Sequence, residues 1–276
     1  MSGAQLALCA DDFALDHATS QTIAALASAG RLQAVSCMSH ARAWRDCAPL
    51  LAALPAGVAR GLHLDLTENA PRAHALARLW PAPPPLARLI AMAALGRLPH
   101  AAITAELDAQ WQAFGDATGA APDFVDGHQH VHALRGVREA VLQRARAAGV
   151  PVRSTGRIVG PGWAFKRGVI AACGGRALAR ALAAAGVPHN AALSGVYDFG
   201  THDYRRLMRR WLAALPASGP TLLFCHPGAA GAASARDAIA AARVAEAAYL
   251  GSPAFRDDLA EAGLRPAWPW RRSSGG

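Results

Sequence analysis

The chain has 276 residues, a formal net charge of +9 and a pI near 10.3, a length that suits an α/β barrel and leaves room for a substantial core. Its 53% apolar content is rich in alanine, and arginines break each Ala-rich stretch before the roughly 20 apolar residues that a membrane helix needs. Lys166 is the only lysine and the arginines are scattered rather than massed, which excludes a nucleic-acid surface and points to a basic enzyme with a negatively charged substrate or docking surface.

Residues 5–9 form a short apolar run that predicts a buried parallel strand ending at Asp11 and Asp12, so two carboxylates are delivered at its C-terminal end. Residues 16–29 read as a helix, with Asp16 or Thr19 as N-cap and Gly30 as stop. A second strand at 34–38 and a helix at 41–54 follow. Residues 58–66 predict a strand with Gly61, His63 and Asp65 on one face. Proline and alanine mark 68–85 as a loop, and 86–98 as an apolar helix that packs over the core or serves as a lid.

Residues 103–118 are helical, and a strand at 124–126 runs into Asp126-Gly127-His128-Gln129-His130-Val131-His132. If that stretch is extended, His128, His130 and His132 share a face, an arrangement that would suit a borderline divalent ion. A helix at 136–148 ends at Gly149, and 150–153 reads as a strand with Arg153 at its tip. Residues 156–186 read as loop and then helix, 196–199 as a strand and 204–215 as a helix. Residues 221–225 form a buried strand leading into His226-Pro227-Gly228, followed by helices at 235–250 and 253–262 and a disordered tail at 271–276. No repeat or linker divides residues 1–270, so a single domain is expected.

Five cysteines without a CxxC pair argue against a disulfide framework, and an N-terminus without a basic, apolar leader fits a reducing cytoplasm. Polar groups recur where apolar strands stop, as active-site groups do in a parallel α/β barrel. One aspartate of the pair with His63 and His128 supplies the three protein ligands of a catalytic divalent ion, and the other aspartate is placed to act as base. The backbone of His226 is fixed by the Pro-Gly that follows, so its ring can be aimed at a leaving amine.

Cys9-Ala10-Asp11-Asp12-Phe13, Gly61-Leu62-His63-Leu64-Asp65-Leu66-Thr67, the Asp126 to His132 stretch and His226-Pro227-Gly228 resemble the four signature blocks of the YdjC-like carbohydrate deacetylases, which include chitooligosaccharide deacetylases and hopanoid-associated relatives. The resemblance implies a variant (β/α) barrel of TIM-like form with mostly parallel strands, and hydrolysis of an N-acetyl group on a sugar or lipid-linked glycan. It implies Asp12, His63 and His128 as metal ligands, Asp11 as catalytic base and His226 as acid or transition-state stabiliser. His130, His132 and Arg153 fall at positions that contact substrate or support the ligands. One divalent ion is implied, magnesium by resemblance, with zinc or another ion compatible with the donors. An N-acetylated sugar is the implied partner, and a homodimer and a peripheral membrane association through the 86–98 helix and Trp268, Trp270, Arg271 and Arg272 are left open. Cys9 and Ala14 depart from the family's usual Asn and Gly, and losing that Gly should restrict the turn. Two rival readings use the same bowl: hydrolysis of a phosphoester or cyclic amide, and a metal-containing protein that binds a glycan without turnover.

Overall fold

In the computed structural model, which describes residues 5–201, 203–229 and 237–270, six parallel strands form one curled sheet. The first strand, β1 (Gln5–Phe13), is followed by helix α1 (His17–Ser28), β2 (Ala34–Cys37), α2 (Trp44–Ala52) and β3 (Ala59–Leu64). Helices α3 (His74–Ala77), α4 (Leu86–Ala94) and α5 (His100–Thr118) precede β4 (Val125–Gly127), a 3-10 turn over His128–Ala133 and α6 (Arg138–Ala148). The chain then forms α7 (Ala164–Ile170), a π-type turn, α8 (Arg176–Ala184), β5 (Ala192–Ser194), α9 (Tyr204–Ala213), β6 (Pro220–Cys225), α10 (Ala240–Gly251) and α11 (Pro253–Glu261). The strand order is β4-β3-β2-β1-β6-β5.

Every residue of β1 after Gln5 is buried, as expected for a central strand of a parallel sheet covered on both faces. Leu6, Leu8 and Ala10 pack with Ile23, Leu51, Met208 and Leu250 of the surrounding helices, while Cys9 joins Ala34, Ala59 and Phe124 on the concave face. Side chains alternate along a strand, so Cys9 and Asp11 share that concave face. Asp16 caps α1 by accepting from the Thr19 amide at 2.7 Å. In α9, Leu207, Met208, Trp211 and Leu212 are buried and the arginines between them face out; each such buried side chain contributes about 1.5–3 kcal/mol.

Where the sequence leads to the expectation of a variant (β/α) barrel, the described residues form a six-stranded, all-parallel curled sheet. The edge strands β4 and β5 are linked by the segment 152–158, through single bridges from Val152 to Val125 and from Ile158 to Leu193. The predicted 150–153 strand is therefore one bridge long, and the strand predicted at 196–199 lies instead at β5. The loop predicted at 68–85 contains the short α3. The helix predicted from 235 begins at Ala240 among the described residues, and 235–236 and the 271–276 tail lie outside them. Helix α4 buries Leu89 and Ala93 in the core, leaving Leu95 65% exposed just beyond its end. The Trp268 ring lies tilted against Phe124 at 4.8 Å and edge-on to Trp270 at 4.9 Å, and the Ala267 amide donates to the Leu6 carbonyl. Both tryptophans are half-buried and pack against a cluster that includes Ala7 of the central strand, and Arg271 and Arg272 lie outside the described residues. No described helix is long and apolar enough to cross a membrane.

Candidate active site

Adjacent residues of a regular strand face opposite sides, which would send Asp12 away from Asp11. Instead the β1–β2 register shifts between Ala10 and Phe13, and Asp12 takes a left-handed backbone with φ 63°. The kink costs on the order of 1–2 kcal/mol and brings the second carboxylate to the same end of the sheet as the histidines. Ala14, two residues on, is also left-handed at φ 75°, a conformation that suits glycine better than alanine.

Asp12 Oδ1 lies 2.9 Å from His128 Nδ1 and 3.3 Å from His63 Nε2, and the ligand atoms of these three residues all fall within 4.8 Å of one another. They come from three separate strand ends, β1, β3 and β4. Burial alone would raise the Asp12 carboxyl, but Arg243 and His128 hold it well below its usual range. Burial opposes a charge on His63 as well, yet Asp126 and Asp11 push its pKa up to about 10; His128 is raised against the same penalty by Asp12. Three ligand atoms that draw positive charge among them, one oxygen and two imidazole nitrogens, two of them from buried residues and the third from the half-buried His128, fit a divalent cation. His63 further donates from Nδ1 to Asp126 Oδ1 at 2.6 Å, the outward carboxylate contact that orients metal-binding imidazoles.

Behind the trio lies a buried ionic layer. Arg153 forks onto both oxygens of Asp11 at 2.6 Å each, lies 2.6 Å from Asp126 Oδ2 and reaches Cys9 Sγ at 3.1 Å. Ser36 Oγ donates to Asp126 Oδ1 at 2.5 Å. Burial would raise the Asp126 carboxyl, but Arg153 and His63 take it below its ordinary range. Cys9 is a neutral thiol because burial raises its pKa well above the usual value. A buried guanidinium shared by two carboxylates fixes the direction in which Asp11 points; breaking such a pair costs about 3–5 kcal/mol.

The structure brings Asp11, Asp12, His63, His128 and Arg153 together, and leaves His130 and His132 outside the ligand trio. Gln129 and His130 have left-handed φ of 51° and 62° and kink the 3-10 turn over His128–Ala133, so the segment does not run extended and the three imidazoles do not share a face. His130 sits edge-on to Phe224 at 5.4 Å, and His132 donates from Nε2 to the Arg153 carbonyl at 2.9 Å. Burial lowers both, His132 to about 4. Asp65, expected on the His63 face, binds the amides of Thr67, Glu68 and Asn69. The His226 ring lies between Phe199 at 5.3 Å and Phe224 at 5.5 Å, its Nδ1 buried without a hydrogen bond. Burial lowers it to about 4, so it is uncharged at neutral pH.

Sequence reasoning assigns no role to three supports. Arg243 of α10 donates to Asp12 Oδ2 at 2.7 Å and to Asp237 at 2.6 Å, leaving Oδ1 to the two imidazoles. Glu246 accepts from the His226 amide at 2.6 Å and from the Tyr197 hydroxyl at 2.5 Å, and burial raises it to about 7. Asp126 stands in the histidine stretch itself, where its proximity to a strand end is the only signal.

The chain is 32% identical over 152 residues to a carbohydrate deacetylase of Mus musculus, covering 53% of this chain and 48% of the relative. It is 32% identical over 152 residues to a chitooligosaccharide deacetylase of Proteus mirabilis (strain HI4320), covering 52% and 56%. The matches thus span about half the length of these curated relatives. Among solved structures, a cellobiose-phosphate cleavage protein of Enterococcus faecalis V583 superposes with a TM-score of 0.73 over 96% of this chain and 97% of that one; at 19% identity the likeness concerns the fold. The YdjC-like protein family model matches residues 5–261, a span that contains every side chain placed at the strand ends above, and the chain belongs to that family.

Proposed function

We propose that the protein is a hydrolase that removes the N-acetyl group from an acetylated sugar, releasing acetate, with one divalent ion held by Asp12, His63 and His128. The observation that carries this reading is the convergence of those three ligand atoms within 4.8 Å, one residue away from the clamped carboxylate of Asp11. The names of the relatives supply the substrate class. Magnesium is favoured by family resemblance, and the oxygen and imidazole donors suit zinc and other ions too.

The bound ion would polarise the acyl carbonyl and make water more acidic. Asp11 accepts the proton of the attacking water, and the Arg153 fork keeps its carboxylate aimed while it does so. Asp126 holds the proton-bearing nitrogen of His63 outward, so the Nε2 of that ring faces inward. Arg243 holds the outer oxygen of Asp12. His226 starts uncharged, so it gives a hydrogen bond to the developing tetrahedral oxygen, and any proton it passes to the departing nitrogen is first gained during the reaction. Phe199 and Phe224 keep water from its ring.

The test is metal analysis of the purified protein joined to acetate release across a panel of N-acetylated saccharides, free and lipid-linked. Asp12→Ala and His128→Ala should each abolish release with the fold unchanged; full activity in both overturns the reading. Phosphate release from a phosphorylated member of the panel would replace it with a phosphoester hydrolase, and tight binding without turnover with a glycan-binding protein.

A further inference from the structure

The two imidazoles of the trio are arranged alike. His63 turns Nε2 toward Asp12 and has the Asp126 carboxylate on its other nitrogen; His128 turns Nδ1 toward Asp12 and has the Glu68 carboxylate 3.9 Å from its other nitrogen, Nε2. We infer that Glu68 is a positioning residue for His128, the rim counterpart of Asp126: its negative charge, at ion-pair distance from Nε2, favours the proton on that nitrogen and thereby keeps Nδ1 free as a ligand. The inference rests on the proposed ion site.

The loop that carries Glu68 is built to place it. Asp65, 1% exposed, accepts on Oδ1 from the amides of Thr67 and Glu68 at 2.8 Å each, and on Oδ2 from the Asn69 amide at 2.8 Å and its side-chain nitrogen at 3.0 Å. Gln110 clasps the same residue from below, its Oε1 accepting from the Asp65 amide at 3.1 Å and its Nε2 donating to the Asp65 carbonyl at 2.7 Å. A buried carboxylate is expensive unless fully hydrogen-bonded, and a loop that only connects two elements has no need of one. Here its four bonds fix residues 65–69 directly after β3, so His63 and Glu68 are delivered by one rigid unit to different imidazoles of the ion site, His63 as one of them and Glu68 behind the other. The separation of 3.9 Å is ion-pair rather than hydrogen-bond range, and the Glu68 side chain is 49% exposed, so it stands at the open edge of the site and its replacement leaves the core untouched.

Ion affinity separates this role from a structural or substrate-binding one. Zinc binding would be measured by competition with a chromophoric chelator on the wild type, Glu68→Ala and Glu68→Gln, with thermal melts as a control on folding and with KM for an N-acetylated saccharide measured at saturating ion. Removing an outward partner of a metal-bound histidine weakens binding by roughly 10–100-fold. That loss is expected in Glu68→Ala, with an unchanged melt and an unchanged KM once the ion is saturating, and the uncharged acceptor in Glu68→Gln should restore part of it. Unchanged zinc affinity in Glu68→Ala overturns the inference, and a raised KM beside it would assign Glu68 to the sugar. A wild type that binds neither zinc, magnesium nor manganese overturns the ion-site reading and this inference together.

Discussion

His63 and His128 lie within ion-pair reach of carboxylates, whereas His130 and His132 have no ion pair among the described residues, and the two pairs are driven in opposite directions. All are substantially enclosed, so burial disfavours charge on each of them. Asp12 and Asp126 outweigh that penalty for the first pair; nothing does so for the second. Being next to one another in the chain therefore says little about histidine chemistry in this fold. What decides it is whether the backbone turn after β4 leaves the ring facing Asp12 or turns it into the apolar layer beside Phe224.

The largest expected effect breaks the two pairs apart. His63→Ala should remove a ligand and the partner of Asp126, with acetate release falling on the order of 10³-fold or more and zinc binding lost. His132→Ala should do the reverse: a cavity and an unpaired Arg153 carbonyl lower stability by about 2–4 kcal/mol while the ion site persists. Calorimetric zinc titration and thermal melts on both variants separate the outcomes. Loss of zinc in His132→Ala with retention in His63→Ala would invert the assignment.

A smaller effect is expected from pH. The pKa of His132 in the folded chain is about 4, below the 6.5 of a free imidazole, so the unfolded chain takes up its proton first as pH falls. Its contribution is fully present above about pH 6.5 and lost as pH drops toward 4, by up to about 3 kcal/mol. Glu246 acts on the other side. Its pKa is raised to about 7 from 4.5, so its contribution is intact below about pH 4.5 and is lost as pH rises through 7. Urea midpoints of the wild type, His132→Gln and Glu246→Gln between pH 4 and 8 test both limbs, and a variant that leaves its own limb unchanged refutes that assignment.

The site's outline is legible in the sequence because chemistry and position coincide in this chain. Apolar strands announce themselves, and Asp11, Asp12, His63, His128, Arg153 and His226 each stand where one stops, so their meeting at one end of a parallel sheet follows from topology. The histidine turn is not legible, because alternation holds only for extended backbone, and Gln129, where the left-handed backbone begins, is not a residue type that advertises a positive φ. Arg243 escapes for a different reason. In the Ala-rich α10 a lone arginine reads as a solvated side chain, and only the packing of that helix against the sheet shows it turned inward onto Asp12. Glu68 gives no signal either, since its place depends on the loop bonds to Asp65.

The smallest expected effect concerns the turn rather than any histidine, and so isolates the cost of delivering Asp12. Ala14 holds φ 75° with its amide bonded to Ser20 Oγ at 2.9 Å, and a left-handed alanine costs on the order of 1–2 kcal/mol. Glycine relieves that strain but adds about 0.5–1 kcal/mol of unfolded-state freedom. Ala14→Gly should therefore stabilise the fold by about 0.5–1 kcal/mol, raising Tm by roughly 1–3 °C, with zinc affinity unchanged because Asp12 keeps its own kink. A lower Tm would mean that the buried Ala14 methyl, fully enclosed in the cluster with Phe13 and Ile23, outweighs the backbone strain. In that case Ala14 is a packing choice, and the kink at Asp12 alone bears the cost of setting two adjacent carboxylates to separate tasks.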